Sequence, residues 1–281
     1  MTRAARSHAP AGARPGARSR ATTNAKAALR QTWQVALRYL RVLLRQPAFI
    51  VITLIQPIIW LLLFGALFKS VTLIPGFHGS YVNYLTPGVV VMLAVSSAGW
   101  TGMGFIEDIN SGVMDRMLVA PAWRGAFNLG AVAQAVISVV IQTILVVLLA
   151  LALGADYTHG IGGIAILILV AALLAAAFAS LSNGIGVLAR QRETLIGAVS
   201  MVLLPLTFLS SALMQASLVP HWIREVGKFN PVNWAAEASR SAAMGSLDWG
   251  LVASRLGLLV GLVVISAWFA TRAFGVYQRS L

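Results

Sequence analysis

The chain has 281 residues, of which 58% are hydrophobic and only 10% are charged, and its formal net charge is +13. A soluble domain carries roughly a quarter charged residues, so this composition predicts an integral membrane protein and excludes a soluble globular one. The absence of cysteine excludes disulfides and thiolate chemistry, and the four scattered histidines lack the paired spacing of a metal site.

The positive charge is concentrated near the start of the chain. Ten of the 21 Lys and Arg residues lie in residues 1–46, which contain no Asp or Glu. No aromatic residue lies among the arginines of 1–25, so we expect contact with anionic membrane lipids rather than with nucleic acid. These 25 residues lack apolar periodicity and are predicted to be a disordered basic tail.

Residues 26–46 are predicted to form an amphipathic helix that lies in the membrane surface, because their leucines share one face and their arginines another. The alternative is an ordinary solvent-facing helix packed on a core. Pro47 is expected to end the helix. The residues that would anchor it at the surface are Arg30, Trp33, Arg38, Arg41 and Arg45.

Six apolar segments follow, each near the roughly 20 residues that cross a bilayer. They are 49–68, 86–106, 129–153, 161–187, 195–214 and 251–271, which predicts an all-α protein with six transmembrane helices. With the N-terminus inside, 16 basic residues fall on the cytoplasmic side and four on the outside. The positive-inside rule therefore predicts that both termini are cytoplasmic. The abundance of Ala, Gly, Arg and Val suggests a bacterium, and hence its inner (plasma) membrane.

The predicted spans carry a few uncharged polar side chains, several of which form a stripe at i, i+4 and i+8. Such residues either bond neighbouring helices together or line a substrate path, and the sequence leaves both interpretations open. The candidates are Gln56, Gln134, Ser138, Gln142 and Asn183.

Motifs for energy coupling are missing from the chain itself. No ionisable residue lies near the middle of a span, where an ion-coupled carrier normally needs one. No GxxxxGK[ST] motif is present either, so the chain is not expected to hydrolyse ATP by a P-loop, and no catalytic residues are predicted. Energy must therefore enter the protein in some other way.

The stretch "DINSGVMDRMLVAPAWR" (108–124) places four charged residues, with Glu107 just before them, between two apolar spans on the predicted cytoplasmic side. Charged residues around a few apolar anchors are typical of a small protein interface. An ordinary solvated loop would carry similar charges, and the physical argument alone does not separate the two.

Three stretches resemble the permease subunits of ATP-binding-cassette (ABC) type-2 exporters, particularly drug exporters of the daunorubicin-resistance type. "FIEDINSGVMDRMLVAPAWRGAFNLG" (105–130) is similar to the family's cytoplasmic loop, and "YVNYLTPGVVV" (81–91) to its entry to the second span. "VPHWIREVGKFNPVNWAAEASRSAAMG" (219–245) is similar to the segment before its last span. The resemblance implies one ABC type-2 transmembrane domain over 47–281.

The same resemblance implies partners and roles. Two copies of a cytoplasmic ATPase, which would carry ATP and Mg, are expected to drive a pair of permeases, either two copies of this chain or this chain and a paralogue. The coupling loop would include Glu107, Asp108, Gly112, Asp115, Arg116, Pro121 and Arg124, and a second cytoplasmic contact would include Arg190, Arg192 and Glu193. No cofactor is expected on this chain.

Residues 215–245 are expected, on the same ground, to form two short helices at the outer face, where they either gate substrate release or brace the outer mouth. The candidates are Trp222, Asn230, Pro231, Glu237 and Arg240, of which Glu237 and Arg240 stand at i, i+3 and could pair. The implied substrates are amphipathic drugs, lipids or glycolipids. An ion-gradient-driven carrier and a non-transporting scaffold are the alternatives.

Overall fold

The computed structural model of the protein describes residues 47–67, 81–113, 124–212, 220–243 and 247–279. Within these ranges the chain is helical and forms no strand. The helices are α1 (Pro47–Leu67), α2 (Tyr81–Gly99), α3 (Gly102–Asn110), α4 (Arg124–Ala152), α5 (Gly160–Ala189), α6 (Arg192–Phe208), α7 (His221–Gly227), α8 (Pro231–Ala243) and α9 (Trp249–Arg279). The tail 1–25 and the surface helix predicted for 26–46 lie outside the described residues.

Four of the six predicted spans are confirmed as helices long and apolar enough to cross a membrane. They are Tyr81–Asn110 (α2 and α3 together), Phe127–Ala152, Gly160–Ala189 and Trp249–Tyr277. Helices also occupy the other two positions, but α6 has only 17 residues, and the apolar part of α1 with described side chains is Ile55–Leu67. These two remain predictions as spans.

Large apolar side chains cover the outside of the helix bundle. Met201 of α6 is 80% exposed and Ile265 of α9 is 65% exposed. Such surfaces would aggregate in water, but they match the hydrocarbon tails of lipids. The exposure of these helices therefore supports a membrane-embedded bundle.

The central helix of the bundle is α5, which contacts α2, α3, α4, α6, α8 and α9. Its second half, "AALLAAAFASLSNGIG" (171–186), consists largely of small residues. Small side chains let helix backbones approach closely, which is how helices gain packing contacts in a membrane, where burial away from water no longer drives association. The composition of α5 thus explains how one helix touches so many neighbours.

The second predicted span is interrupted between Gly99 and Gly102, where α2 ends and α3 begins. The backbone N–H groups of Thr101, Met103 and Gly104 donate to carbonyls three residues earlier instead of four, at 3.1–3.2 Å. Gly102 lies against the backbone of Ser182 in α5, and a Cβ on Gly186 would come within 2.6 Å of the Gly102 carbonyl oxygen. At the interruption, the backbone of α3 is therefore in direct contact with the backbone of α5.

Replacing Gly102 with Ala is expected to lower the free energy of unfolding by about 1–3 kcal/mol, as overpacking in a close-packed core does. The new methyl group would overlap the Ser182 carbonyl, which belongs to a helix and cannot rotate away. Gly104→Ala is the matched control, because a Cβ there has no neighbour within 4 Å. Thermal unfolding in detergent measures both variants, and equal melting temperatures would contradict the prediction.

Candidate functional site

The predicted functional residues within the described ranges fall mainly at two opposite ends of the bundle. At the first, the Glu107 end, α3, α5 and α9 finish and α4 and α6 begin, and Phe105, Phe127, Val187, Phe274 and Tyr277 pack together. At the second, the Arg240 end, α8 lies over the first turns of α2 and α5 and beside the start of α9. The two ends are described in turn.

At the Glu107 end, two separately predicted clusters come into contact. The Arg192 guanidinium lies 3.4 Å from the Glu107 carboxylate, and both side chains are more than half exposed. An exposed pair of this kind contributes little stability, about 0–1 kcal/mol. The ion pair matters here because it joins the end of α3 to the start of α6.

The contact between α3 and α6 continues below the ion pair. Ile106 is fully buried and packs with Leu195 and Val199 of α6. On the other side of α3, Phe105 meets Phe274 of α9 edge to face, with 5.1 Å between ring centroids. Helix α3 is therefore a short, tightly held element whose far end reaches the surface.

A residue with a left-handed backbone conformation follows α3, and another follows α5. Gly112 follows α3 with a φ of +66°, a left-handed conformation that glycine adopts without strain. Arg190 follows α5 with a φ of 58°, which is costly for a residue with a Cβ. Its guanidinium lies 4.7 Å above the ring of Tyr277, a cation–π contact that holds this turn against α9.

The remaining predicted coupling residues differ in exposure. Glu193 is exposed in the first turn of α6, whereas Asp108 is 8% exposed and faces the bundle. Asp115, Arg116 and Pro121 lie outside the described residues, as do the five surface-helix residues Arg30, Trp33, Arg38, Arg41 and Arg45. Arg124 is the first residue of α4.

At the Arg240 end, one guanidinium joins three parts of the chain. Arg240 donates to the carbonyl oxygen of Ala212 at 2.6 Å, to the hydroxyl of Ser211 at 3.2 Å and to the carbonyl oxygen of Tyr84 at 3.4 Å. It also lies over the Tyr84 ring, 3.9 Å from the centroid. The side chain thus fastens α8 to the start of α2 and to the residues that follow α6.

The predicted pairing of Glu237 with Arg240 needs correction. Glu237 forms its ion pair with Arg255 of α9, at 2.8 Å, and accepts a hydrogen bond from Asn233 at 2.9 Å. The carboxylate is directed towards α9 while Arg240 is directed towards Tyr84, so tertiary partners override the i, i+3 spacing. Arg255 of α9, 18 residues further along the chain than Glu237, is the partner that the i, i+3 argument missed.

The other candidates at this end are Asn230, Pro231 and Trp222. Asn230 donates to the carbonyls of Leu206 and Leu209 at 2.7 and 3.1 Å, and its side-chain oxygen accepts from the N–H of Val232 at 2.9 Å. It therefore binds the last turn of α6 and the first turn of α8 at once. Pro231 begins α8, a position that suits its fixed φ, and Trp222 of α7 is 60% exposed.

The polar residues of the spans mostly bond to protein. Ser138 is buried and exchanges hydrogen bonds with Gln134 one turn earlier, and Gln142 is also buried. Asn183 of α5 donates to Asn128 of α4 at 2.9 Å, inside the bundle. The Asn183–Asn128 bond joins two helices and favours the helix-bonding interpretation for Asn183, whereas the bonds between Gln134 and Ser138 stay within α4.

Gln56 is the exception, because its side chain is exposed on α1. It borders a groove between α1 and α2 that is lined by Gln56, Pro57, Trp60, Val89, Met92, Leu93 and Ser96. Trp60 stacks on Phe64 beside it, with 4.8 Å between ring centroids. The groove is mainly apolar with two polar side chains, a lining that suits an amphipathic molecule.

Comparison with known proteins places these features in a family context. The family model described as "ABC-2 type transporter" matches residues 30–244. The chain is 28% identical over 262 residues to the "Daunorubicin resistance ABC transporter permease protein DrrB1" of Streptomyces coeruleorubidus, which covers 92% of this chain and 89% of that one. It is 26% identical over 221 residues to the "Inner membrane transport permease YadH" of Escherichia coli K12, covering 75% and 83%. It is also 26% identical over 212 residues to the "Putative transport permease ycf38" of Porphyra purpurea, covering 75% and 72%.

Proposed function

The chain belongs to the ABC-2 type transporter family, and from that premise we propose that it is the permease subunit of an ATP-driven exporter. Its substrates would be amphipathic drugs, lipids or glycolipids, moved out of the cytoplasm or the inner leaflet. The permease relatives support the transport role. The observation that carries the coupling part of the proposal is the contact between Glu107 and Arg192.

That contact joins the two connections that the sequence singled out as contacts for a soluble ATPase. A single surface patch formed by both connections could respond to one partner as a unit, because α3 and α6 are held together there. Two ATPase copies carrying ATP and Mg would bind a pair of permeases, each through its Glu107 end. Binding energy and register would come from the charged residues of 107–124 around apolar anchors.

The orientation in the membrane follows from charge. The Glu107 end would be cytoplasmic and the Arg240 end outside, with six spans and both termini inside, because the basic residues of the sequence favour that arrangement. The membrane would be the bacterial inner membrane. In this orientation α7 and α8 would form the outer cover of the substrate path.

The groove between α1 and α2 supports an amphipathic substrate. Gln56 offers an amide donor and acceptor beside the indole of Trp60, on a helix whose other residues, apart from Thr53, are apolar. The relative named for daunorubicin resistance makes this class of drug the natural first probe.

Reconstitution in lipid vesicles tests the proposal. The chain is co-expressed with an ABC ATPase from the same organism, and daunorubicin movement is followed by fluorescence. We expect accumulation that requires ATP and Mg, stops with vanadate and is unaffected by an uncoupler. Collapse with the uncoupler alone would identify an ion-driven carrier, and the absence of any flux of drug or fluorescent lipid would favour a scaffold.

A further inference from the structure

The interruption between α2 and α3 is completed by a residue from another helix. In an unbroken helix, the N–H of Gly102 and the carbonyl of Gly99 would bond within the same backbone ladder. Here the Ser182 hydroxyl of α5 accepts from the Gly102 N–H at 3.0 Å and donates to the Gly99 carbonyl oxygen. One hydroxyl is therefore the hydrogen-bond partner of both the Gly102 N–H and the Gly99 carbonyl.

The two hydrogen bonds of Ser182 are important because the residue is buried. Ser182 is 2% exposed, so neither water nor lipid can take its place at the two backbone groups. A buried N–H or carbonyl without a partner is unfavourable, and more so in a membrane, where water is absent. The relative position of α2 and α3 is thus set by a side chain that belongs to neither.

The position of the interruption links it to coupling. Helix α3 carries Glu107 at its far end and is bonded to α6 there, whereas α2 begins beside Arg240 and lines the groove with Gln56. Along the chain, the route from the Glu107 end to the groove runs through the junction at Gly99–Gly102. At the junction the backbone bonds span three residues instead of four, the pattern of a tightened helical turn.

We propose that Ser182 is a positioning residue for coupling: its hydroxyl is the fixed pivot on α5 through which movement of the Glu107 end of α3 is transmitted to α2. The inference rests on the proposed function in one respect, since that function says that the movement drives substrate transport. The geometry of the pivot is independent of that function and can be measured on its own.

Replacement of Ser182 by Ala tests the pivot, with Ser266→Ala as the matched control. Ser266 is also a buried serine in a long apolar helix, but its hydroxyl donates only to the carbonyl of Val263 in its own helix. Spin labels are placed at Asn110 and Leu188, which are exposed at the ends of α3 and α5. The chain has no cysteine, so introduced cysteines carry the only labels.

Pulsed electron resonance on the full chain in lipid nanodiscs gives the distribution of distances between the two labels. We expect a narrow distribution for the native chain and for Ser266→Ala, and a wider one for Ser182→Ala. In vesicles with the ATPase, Ser182→Ala is expected to keep ATP hydrolysis but to move about tenfold fewer substrate molecules per ATP, since it loses a buried hydroxyl with two partners. Ser182→Thr, which keeps the hydroxyl, is expected to restore the ratio.

Each outcome decides the proposal. An unchanged distance distribution in Ser182→Ala overturns the pivot, and so does a wider distribution with a normal transport-to-ATP ratio. Equal loss of hydrolysis and transport, with a melting temperature lower than that of Ser266→Ala, reduces Ser182 to a purely structural role and also overturns it. If the native chain transports nothing, the proposed function fails while the distance measurement still tests the pivot.

Discussion

Reversing both charges of the coupling loop, with Asp115→Lys and Arg116→Glu, is expected to abolish co-purification of the ATPase with the permease. The sequence predicts that these two residues face a soluble partner, and the structure places the neighbouring Glu107 at an exposed surface in contact with Arg192. Juxtaposing like charges across an interface costs several kcal/mol, enough to lower occupancy below detection in a pull-down. The measurement is affinity purification from detergent-solubilised membranes, with bound proteins identified by mass spectrometry.

Arg272→Glu is the control for this experiment. Arg272 is exposed on α9, where it lies 4.8 Å above the ring of Trp268, and it belongs to neither predicted contact. The control is expected to retain the ATPase. Loss of the ATPase from both variants would indicate a general effect of charge, and its retention by the double variant would exclude Asp115 and Arg116 from the interface.

Replacing Arg240 with Ala is expected to lower the free energy of unfolding by about 3 kcal/mol, because it removes a charged donor from three acceptors and an aromatic ring. The Ala212 carbonyl would lose its partner inside the packed junction of α2, α8 and the end of α6. By the usual scaling for a chain of this size, the melting temperature should fall by roughly 6–12 °C. Tryptophan fluorescence during thermal unfolding in detergent measures it.

Lys228→Ala is the matched control in the same region of the chain. Lys228 is an exposed cation that pairs with Glu225 three residues earlier, at 2.7 Å, and a surface pair of this kind is worth about 1 kcal/mol or less. Arg240→Lys is expected to fall between the two, since one ammonium group cannot reach all the acceptors of a guanidinium. If Arg240→Ala unfolds no earlier than Lys228→Ala, the network at the Arg240 end does not hold α8 in place.

The helices of the bundle could be predicted largely from the sequence, because apolar runs of bilayer length are a property of the local chain. The junction at Gly99–Gly102 could not be predicted in the same way. A hydropathy window averages over the two glycines, and the residue that completes the junction, Ser182, lies 80 positions further along. Nothing in the local sequence indicates that contact.

The candidate sites show the same division. Sequence spacing could suggest that Glu237 and Arg240 pair with each other. It could not indicate that Glu237 pairs with Arg255 of α9 and that Arg240 lies over the ring of Tyr84 of α2. Glu107 and Arg192 were predicted separately as parts of two contacts, and only the fold shows that they meet. In each case the missing information is a long-range contact between individually ordinary residues.

The central position of α5 also determines when the molecule can be assembled during synthesis. Helices α1 to α4 are synthesised before the helix that most of them pack against, since α5 ends only at Ala189. Until α5 has been synthesised, the α2–α3 junction lacks the hydroxyl of Ser182, and Asn128 lacks its hydrogen bond with Asn183. Until then the first four helices have only one another to pack against. Their packing is therefore completed only by the arrival of a helix rich in small residues.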